Sequence, residues 1–351
     1  MKVDRRGWLA WNPGRPHRQR GAHAGAERIF TIRTLTGPCD GRWFVCHLAE
    51  RVTTNRSLSN RTGGKTMQIR QAMLAGSWYP AVASRCRAEI AAFPVGSDPE
   101  DQSHVVGAIV PHAGWYYSGH VAWDAIRQIG PRKDVDLIVV FGMHLPGYAA
   151  PVVMTQGAWE TPLGPLPVHE AVAKAVSERF SCVIETTERF SPDNTIEVQL
   201  PLIRHAFPNA SIVGIGVPAS PDAAAIGRFA AEQALRHASG VRILGSTDLT
   251  HYGPNYGFTD YGRAANAIEI VKREHDLPMI EAMLALDAER VLRLAAEKQN
   301  ACCAGAVAAA IAAAKVLGAK KARLVRYATS YERHAADSFV GYAAVCFERE
   351  S

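Results

Sequence analysis

From Val105 onward, short apolar runs alternate with segments of helical spacing. Val105–Val110 is a continuous apolar and β-branched run, and Val135–Phe141, Ile212–Val217 and Val241–Gly245 repeat its character. Such runs predict strands buried on both faces. Pro151–Met154 and Cys182–Glu185 are shorter candidates. A short amphipathic helix over Ser84–Phe93 precedes the first run, and helices over His120–Ile129 and Glu170–Phe180 lie between the runs. Ser220-Pro221-Asp222, with proline in the first turn, opens a further helix that reaches about His237. Three helical segments fill about 258–296. An alanine-rich helix follows, with Asn300 as N-cap, Gly318 as stop and Lys315 in the last turn. Two late strands, Ala322–Tyr327 and Phe339–Phe347, close the pattern. The alternation predicts an α/β fold of three layers, a mostly parallel or mixed central sheet with helices on both faces. Residues 67–351 contain no internal repeat and no Pro- or Ser-rich linker, so they are read as one domain.

Residues 1–66 lack this periodicity. They hold 13 Lys/Arg against 4 Asp/Glu, so the formal charge of +6 for the 351-residue chain comes from this leader, and the body is slightly acidic. The leader reads as a disordered basic arm or as a start codon placed too early, with Met67 a plausible start. The body therefore gives no reason to expect nucleic-acid binding. No apolar run reaches the roughly 20 residues that span a bilayer. Seven cysteines without a CxxC or a disulfide spacing point to a reducing, cytoplasmic compartment.

The candidate chemistry lies where strands end. In open α/β sheets the functional crevice sits beyond the strand C-termini. Val105–Val110 runs into Pro111-His112, Val135–Phe141 into Gly142-Met143-His144, and Val241–Gly245 into Ser246-Thr247-Asp248-Leu249-Thr250-His251. Asn300-Ala301-Cys302-Cys303 would place two thiols in a first helical turn, where unpaired N–H groups and the helix dipole favour thiolate. Such a cysteine is a metal ligand, a reactive group or simply a small core residue. Two imidazoles and one thiolate would make a three-ligand metal site with room for water or substrate, leaving one histidine as acid or base. Asp248 would orient an imidazole or cap a turn. Asp193 and Glu197 lie in a polar stretch that can reach the same crevice.

In order along the chain, Ala75-Gly76-Ser77-Trp78-Tyr79-Pro80, Pro111-His112-Ala113-Gly114, Trp159-Glu160-Thr161-Pro162-Leu163-Gly164, Ile196-Glu197-Val198-Gln199-Leu200-Pro201, Ser246-Thr247-Asp248-Leu249-Thr250-His251-Tyr252 and the Cys302 segment resemble the Memo family, also called AmmeMemoRadiSam system protein B. The resemblance covers about 67–347. It implies a fold like that of class III extradiol dioxygenases, which are non-haem iron oxidoreductases. It implies metal ligands at His112, His144 and Cys302, and an acid/base at His251 with Asp248 beside it. Asp193, Asn194 and Glu197 would stand around the pocket, with Asn194 where the family often has histidine. The implied cofactor is a divalent metal, iron first, with copper or zinc brought forward because cysteine replaces the usual carboxylate. A functional link to a radical-SAM protein and an AMMECR-type protein is implied by the family name. The chain departs from the family at Gly142-Met143-His144, one residue shorter than usual, at Ser330-Tyr331-Glu332, and at Cys303, where glycine is frequent. Neighbours on a helix point about 100° apart. Cys303 is therefore expected to be a bystander, or else a second ligand peculiar to this chain. A non-catalytic metal- or peptide-binding module and a zinc-dependent hydrolase are the alternative functions.

Overall fold

The computed structural model describes residues 67–96, 102–130 and 132–350, together with the backbone of two strands near the N-terminus. Those strands, β1 (Thr31–Cys39) and β2 (Arg42–Glu50), pair antiparallel as a hairpin. The sequence reading expected no strand periodicity there. The rest of the expected disordered leader lies outside the described residues. The chain divides after Arg56 into two units, and the hairpin belongs to the smaller one.

The larger unit begins with β3 (Ile69–Arg70), α1 (Ala83–Ala92), β4 (Val105–Val110), α2 (His120–Ile126), β5 (Leu137–Gly142) and β6 (Val152–Met154). Next come β7 (Ala158–Trp159), β8 (Leu166–Pro167), α3 (Glu170–Phe180), β9 (Val183–Glu185), α4 (Asn194–Glu197), α5 (Leu200–Ala206) and β10 (Ser211–Gly216). α6 (Ala223–His237), β11 (Val241–Ser246), β12 (His251–Tyr252), α7 (Ala264–Val271), α8 (Leu277–Leu284) and α9 (Ala288–Lys298) follow. The chain closes with α10 (Ala304–Val316), β13 (Ala319–Thr329) and β14 (Phe339–Arg349).

The central sheet is mixed, in the order β12-β14-β4-β11-β5-β10-β6-β9, with β13 also paired to β14. Its middle, β4-β11-β5-β10, is parallel. β14 and β6 flank that core in antiparallel pairing. Every residue of β4, β5 and β11 is buried, as continuous apolar runs require. β3, β7 and β8 form a separate small sheet.

Adjacent residues of β11 show why two helical layers form. Successive side chains of a strand point to opposite faces. A side chain at Gly245 would meet Ala310 of α10 at 2.7 Å, whereas Ser246 bonds the carbonyl of Thr195 in α4 on the other face. α10 is buried along almost its whole surface because it lies between the sheet and α6 and α9. A helix apolar on every side suits that place. Its small residues allow close approach: a Cβ at Gly227 of α6 would collide with the Ala309 backbone. Among the described residues no helix is long and apolar enough to cross a membrane.

Candidate metal centre

The parallel strands deliver their C-terminal ends to one edge, and two histidines follow directly. After β4, Pro111 ends the ladder and His112 is clamped by three side chains. Its N–H donates to Asp248 Oδ1 (2.7 Å), its carbonyl accepts from Asn194 Nδ2 (3.1 Å), and Gln199 Nε2 donates to the Pro111 carbonyl (2.8 Å). The ring is buried, with Nδ1 3.1 Å from Ser246 Oγ. Ser246 has one hydroxyl hydrogen, which goes to the Thr195 carbonyl at 2.6 Å. It can therefore only accept from His112, so Nδ1 carries the proton and Nε2 faces the centre. Serine thus sets the tautomer, as an outer partner of a metal-binding histidine does.

After β5, Met143 sits at φ +68° and turns the chain toward His144. The Met143 N–H donates to Thr195 Oγ1 (2.6 Å). Gly142 lies so close to Thr195 and Ile196 that any side chain there would collide. The exposed His144 ring stands edge-on to His112, centroids 5.0 Å apart at 83°.

The cysteines arrive from the other side of β11. α10 begins at Ala304 with Cys303 as its N-cap residue, so both thiols precede the helix instead of lying in its first turn. Asn300 does not cap it; Asn300 Nδ2 donates to the His275 carbonyl (2.7 Å). The Cys302 N–H donates to the Asp248 carbonyl (3.2 Å) and the Cys303 N–H to Thr247 Oγ1 (3.1 Å). Held in this turn, the two sulfurs lie 3.9 Å apart. The expected 100° divergence does not apply, because that spacing belongs to helical residues. Cys302 Sγ accepts from the Asp248 N–H (3.3 Å) and lies 3.2 Å from His112 Nε2. One donor atom from each of His112, His144, Cys302 and Cys303 lies within 4.8 Å of the other three.

The charges reinforce one another. Burial alone would raise the Cys302 thiol. A hydrogen bond with Cys303 and the neighbouring His112 outweigh it and hold that thiol well below its ordinary value. Burial and the Cys302 charge push Cys303 upward. Burial would lower His112, but the Cys302 thiolate and Asp248 raise it to about 9. Burial raises Asp248, partly offset by His112. Without a cation, His112 and Cys302 thus form an imidazolium–thiolate pair. A transition-metal cation that displaces the Nε2 proton would meet two imidazoles and an ionised thiol, a set that fits it.

The remaining expected residues fall around this cluster. His251 is half-buried in β12 with its ring against Tyr256, centroids 4.9 Å apart, and is not one of the converging donors. Asp248, which anchors the His112 backbone, has an oxygen 4.0 Å from His112 Nε2. Asp193 caps α4, accepting from the Ile196 N–H and Thr195 Oγ1. Glu197 faces the N-terminal turn, where its Oε1 accepts from the Leu74 N–H (2.7 Å) and Tyr79 Oη (2.9 Å). Ser246 and Gln199 stand in the family-like motifs and Thr195 in the polar stretch before them, but the sequence alone assigns none of them a role in the site. Ser246 did carry a signal: it is the first polar residue after an apolar strand, at the edge where sites form.

The family described as "Memo-like protein" matches residues 70–346. A MEMO1 family protein of Methanococcoides burtonii is 31% identical over 281 residues, covering 79% of this chain and 99% of that protein. One from Pyrococcus furiosus is 28% identical over 290 residues, 80% of this chain and 99% of its own. A solved structure of the uncharacterized protein JW3007 from Escherichia coli K12 is a distant likeness, with a TM-score of 0.41 and 16% identity over 68% of this chain and 99% of that one. Matched along most of its length by the family pattern and by full-length relatives, the chain belongs to the Memo-like family.

Proposed function

We propose that this Memo-like protein binds a transition-metal cation through His112, His144 and Cys302 at the C-terminal edge of its sheet. The observation that carries the reading is the convergence of their donor atoms within 4.8 Å, with the His112 tautomer already set by Ser246. A thiolate beside two imidazoles favours a borderline or soft cation, so zinc and copper stand ahead of iron. An iron oxygenase site takes a carboxylate as third ligand. Here the Asp248 carboxylate instead accepts the His112 backbone N–H. A bound cation would supply Lewis acidity and, if copper or iron, electron transfer. The free state of Cys86, Cys182, Cys302, Cys303 and Cys346 supports a reducing, cytoplasmic setting.

A second reading, dioxygenase-like oxidoreduction, is supported by the Asp248 oxygen 4.0 Å from His112 Nε2 and by the position of His251, which opens β12 three residues after Asp248. In that reading Asp248 fixes His112, and His251 moves a proton at its imidazole.

Elemental analysis of the full chain purified anaerobically tests the proposal. One cation per chain is expected, lost in His112→Ala and Cys302→Ala while folding persists. Metal-free wild-type protein that takes up no added cation would overturn it. Oxygen uptake with catecholic compounds that vanishes in His251→Ala would establish the second reading.

A further inference from the structure

We infer that Cys303 is a fourth protein ligand of the same cation, closing a site of two histidines and two cysteines for a closed-shell, thiophilic cation of the zinc class. The inference rests on the reading that His112, His144 and Cys302 hold the metal, and it goes further by removing the open coordination position.

Two thiolates on a tetrahedral zinc at about 2.3 Å each stand about 3.8 Å apart. Cys302 and Cys303 Sγ are 3.9 Å apart. Cys302 Sγ and His112 Nε2, at 3.2 Å, lie a few tenths of an ångström inside the roughly 3.6 Å expected of a sulfur and a nitrogen on one tetrahedral zinc.

Adjacent cysteines on a helix or strand diverge. Here their two N–H groups are tied to consecutive residues, Thr247 and Asp248, and both sulfurs turn inward. Neither tie uses a sulfur of Cys303. Its side chain is buried at 3% exposure among the other three donors and not on the surface.

His112 and Cys303 form the buried floor, and exposed His144 forms the rim. A cation can enter from the His144 side and end enclosed by four donors. Four protein ligands on a tetrahedral cation leave no position for water, dioxygen or substrate, the hallmark of a structural or storage site as opposed to a catalytic one. The site would then hold or exchange a soft cation.

Cobalt(II), a spectroscopic stand-in for zinc, and zinc itself test this on the full chain. Wild type should show tetrahedral cobalt bands with sulfur-to-cobalt charge transfer from two thiolates. Cys303→Ala should still bind but lose about half of that charge transfer, and zinc affinity should fall at least about tenfold. Cys303→Ser, closer in size, guards against a packing defect. X-ray absorption of the zinc-loaded wild type, which needs no variant, should count two sulfurs. One sulfur, or unchanged charge transfer in Cys303→Ala, would overturn the role of Cys303 while leaving the three-ligand reading intact. Wild type that binds neither cation would overturn both.

Discussion

Replacing Ser246 by alanine probes how His112 is prepared for a cation. The hydroxyl donates to the Thr195 carbonyl at 2.6 Å and accepts from His112 Nδ1 at 3.1 Å, in a fully buried position. Without it, the imidazole loses the partner that fixes both ring angle and tautomer. Loss of such a partner weakens metal binding by about 10–100-fold, or about 1.4–2.7 kcal/mol. Three buried hydrogen bonds also disappear, the third a long one from Gln199 Nε2 at 3.4 Å; at about 1 kcal/mol each, the metal-free fold should lose about 2–3 kcal/mol. Competition against a chromophoric zinc chelator reads the first effect, and urea unfolding of metal-free protein reads the second. If stability falls as expected while zinc affinity stays within about twofold of wild type, the serine is only structural and the tautomer argument is refuted.

Other substitutions separate the site from its scaffold. Gly142→Ala forces a methyl against Thr195 and Ile196; overpacking should cost about 1–3 kcal/mol and, by displacing His144, weaken zinc binding. An unchanged melting temperature would contradict that. Glu197→Ala strips the acceptor from the Leu74 N–H and Tyr79 Oη, leaving buried donors unpaired at about 2–3 kcal/mol in urea unfolding, with zinc affinity unchanged. Weakened zinc binding would move Glu197 into the site. Asp276 is fully buried, and burial pushes its carboxyl up to about 6 against hydrogen bonds from Thr250 and Tyr327. A folded value above the ordinary 3.8 means that its contribution is fully present below about pH 4 and is lost as pH rises through about 6. That loss amounts to about 3 kcal/mol. Asp276→Asn should flatten unfolding stability across that window, and an unaltered pH slope would refute the assignment.

The strands that build the site were legible because burial on both faces demands uninterrupted apolar runs, and β4, β5 and β11 coincide with such runs almost to the residue. Placing His112 and His144 needed only the rule that sites form at strand C-termini. Cys302 was legible as a ligand candidate, but its geometry with Cys303 was not. Asn300 has the chemistry of an N-cap, and only the tertiary arrangement reveals that its amide serves His275 and that the helix starts at Ala304. The roles of Ser246, Thr195 and Gln199 were not legible because each acts across elements that are distant in sequence. Glu197 and Asp193 share a polar stretch, yet α4 turns one toward the N-terminal turn and uses the other as its cap. Local sequence does not encode that choice.

Anomalous diffraction at the zinc edge from zinc-loaded crystals of the full chain tests the central claim most directly. The account predicts one peak between His112 Nε2, the His144 ring and Cys302 Sγ, at about 2.1 Å from nitrogen and about 2.3 Å from sulfur. A peak bound elsewhere, or none at these residues when one zinc per chain is present, would contradict it.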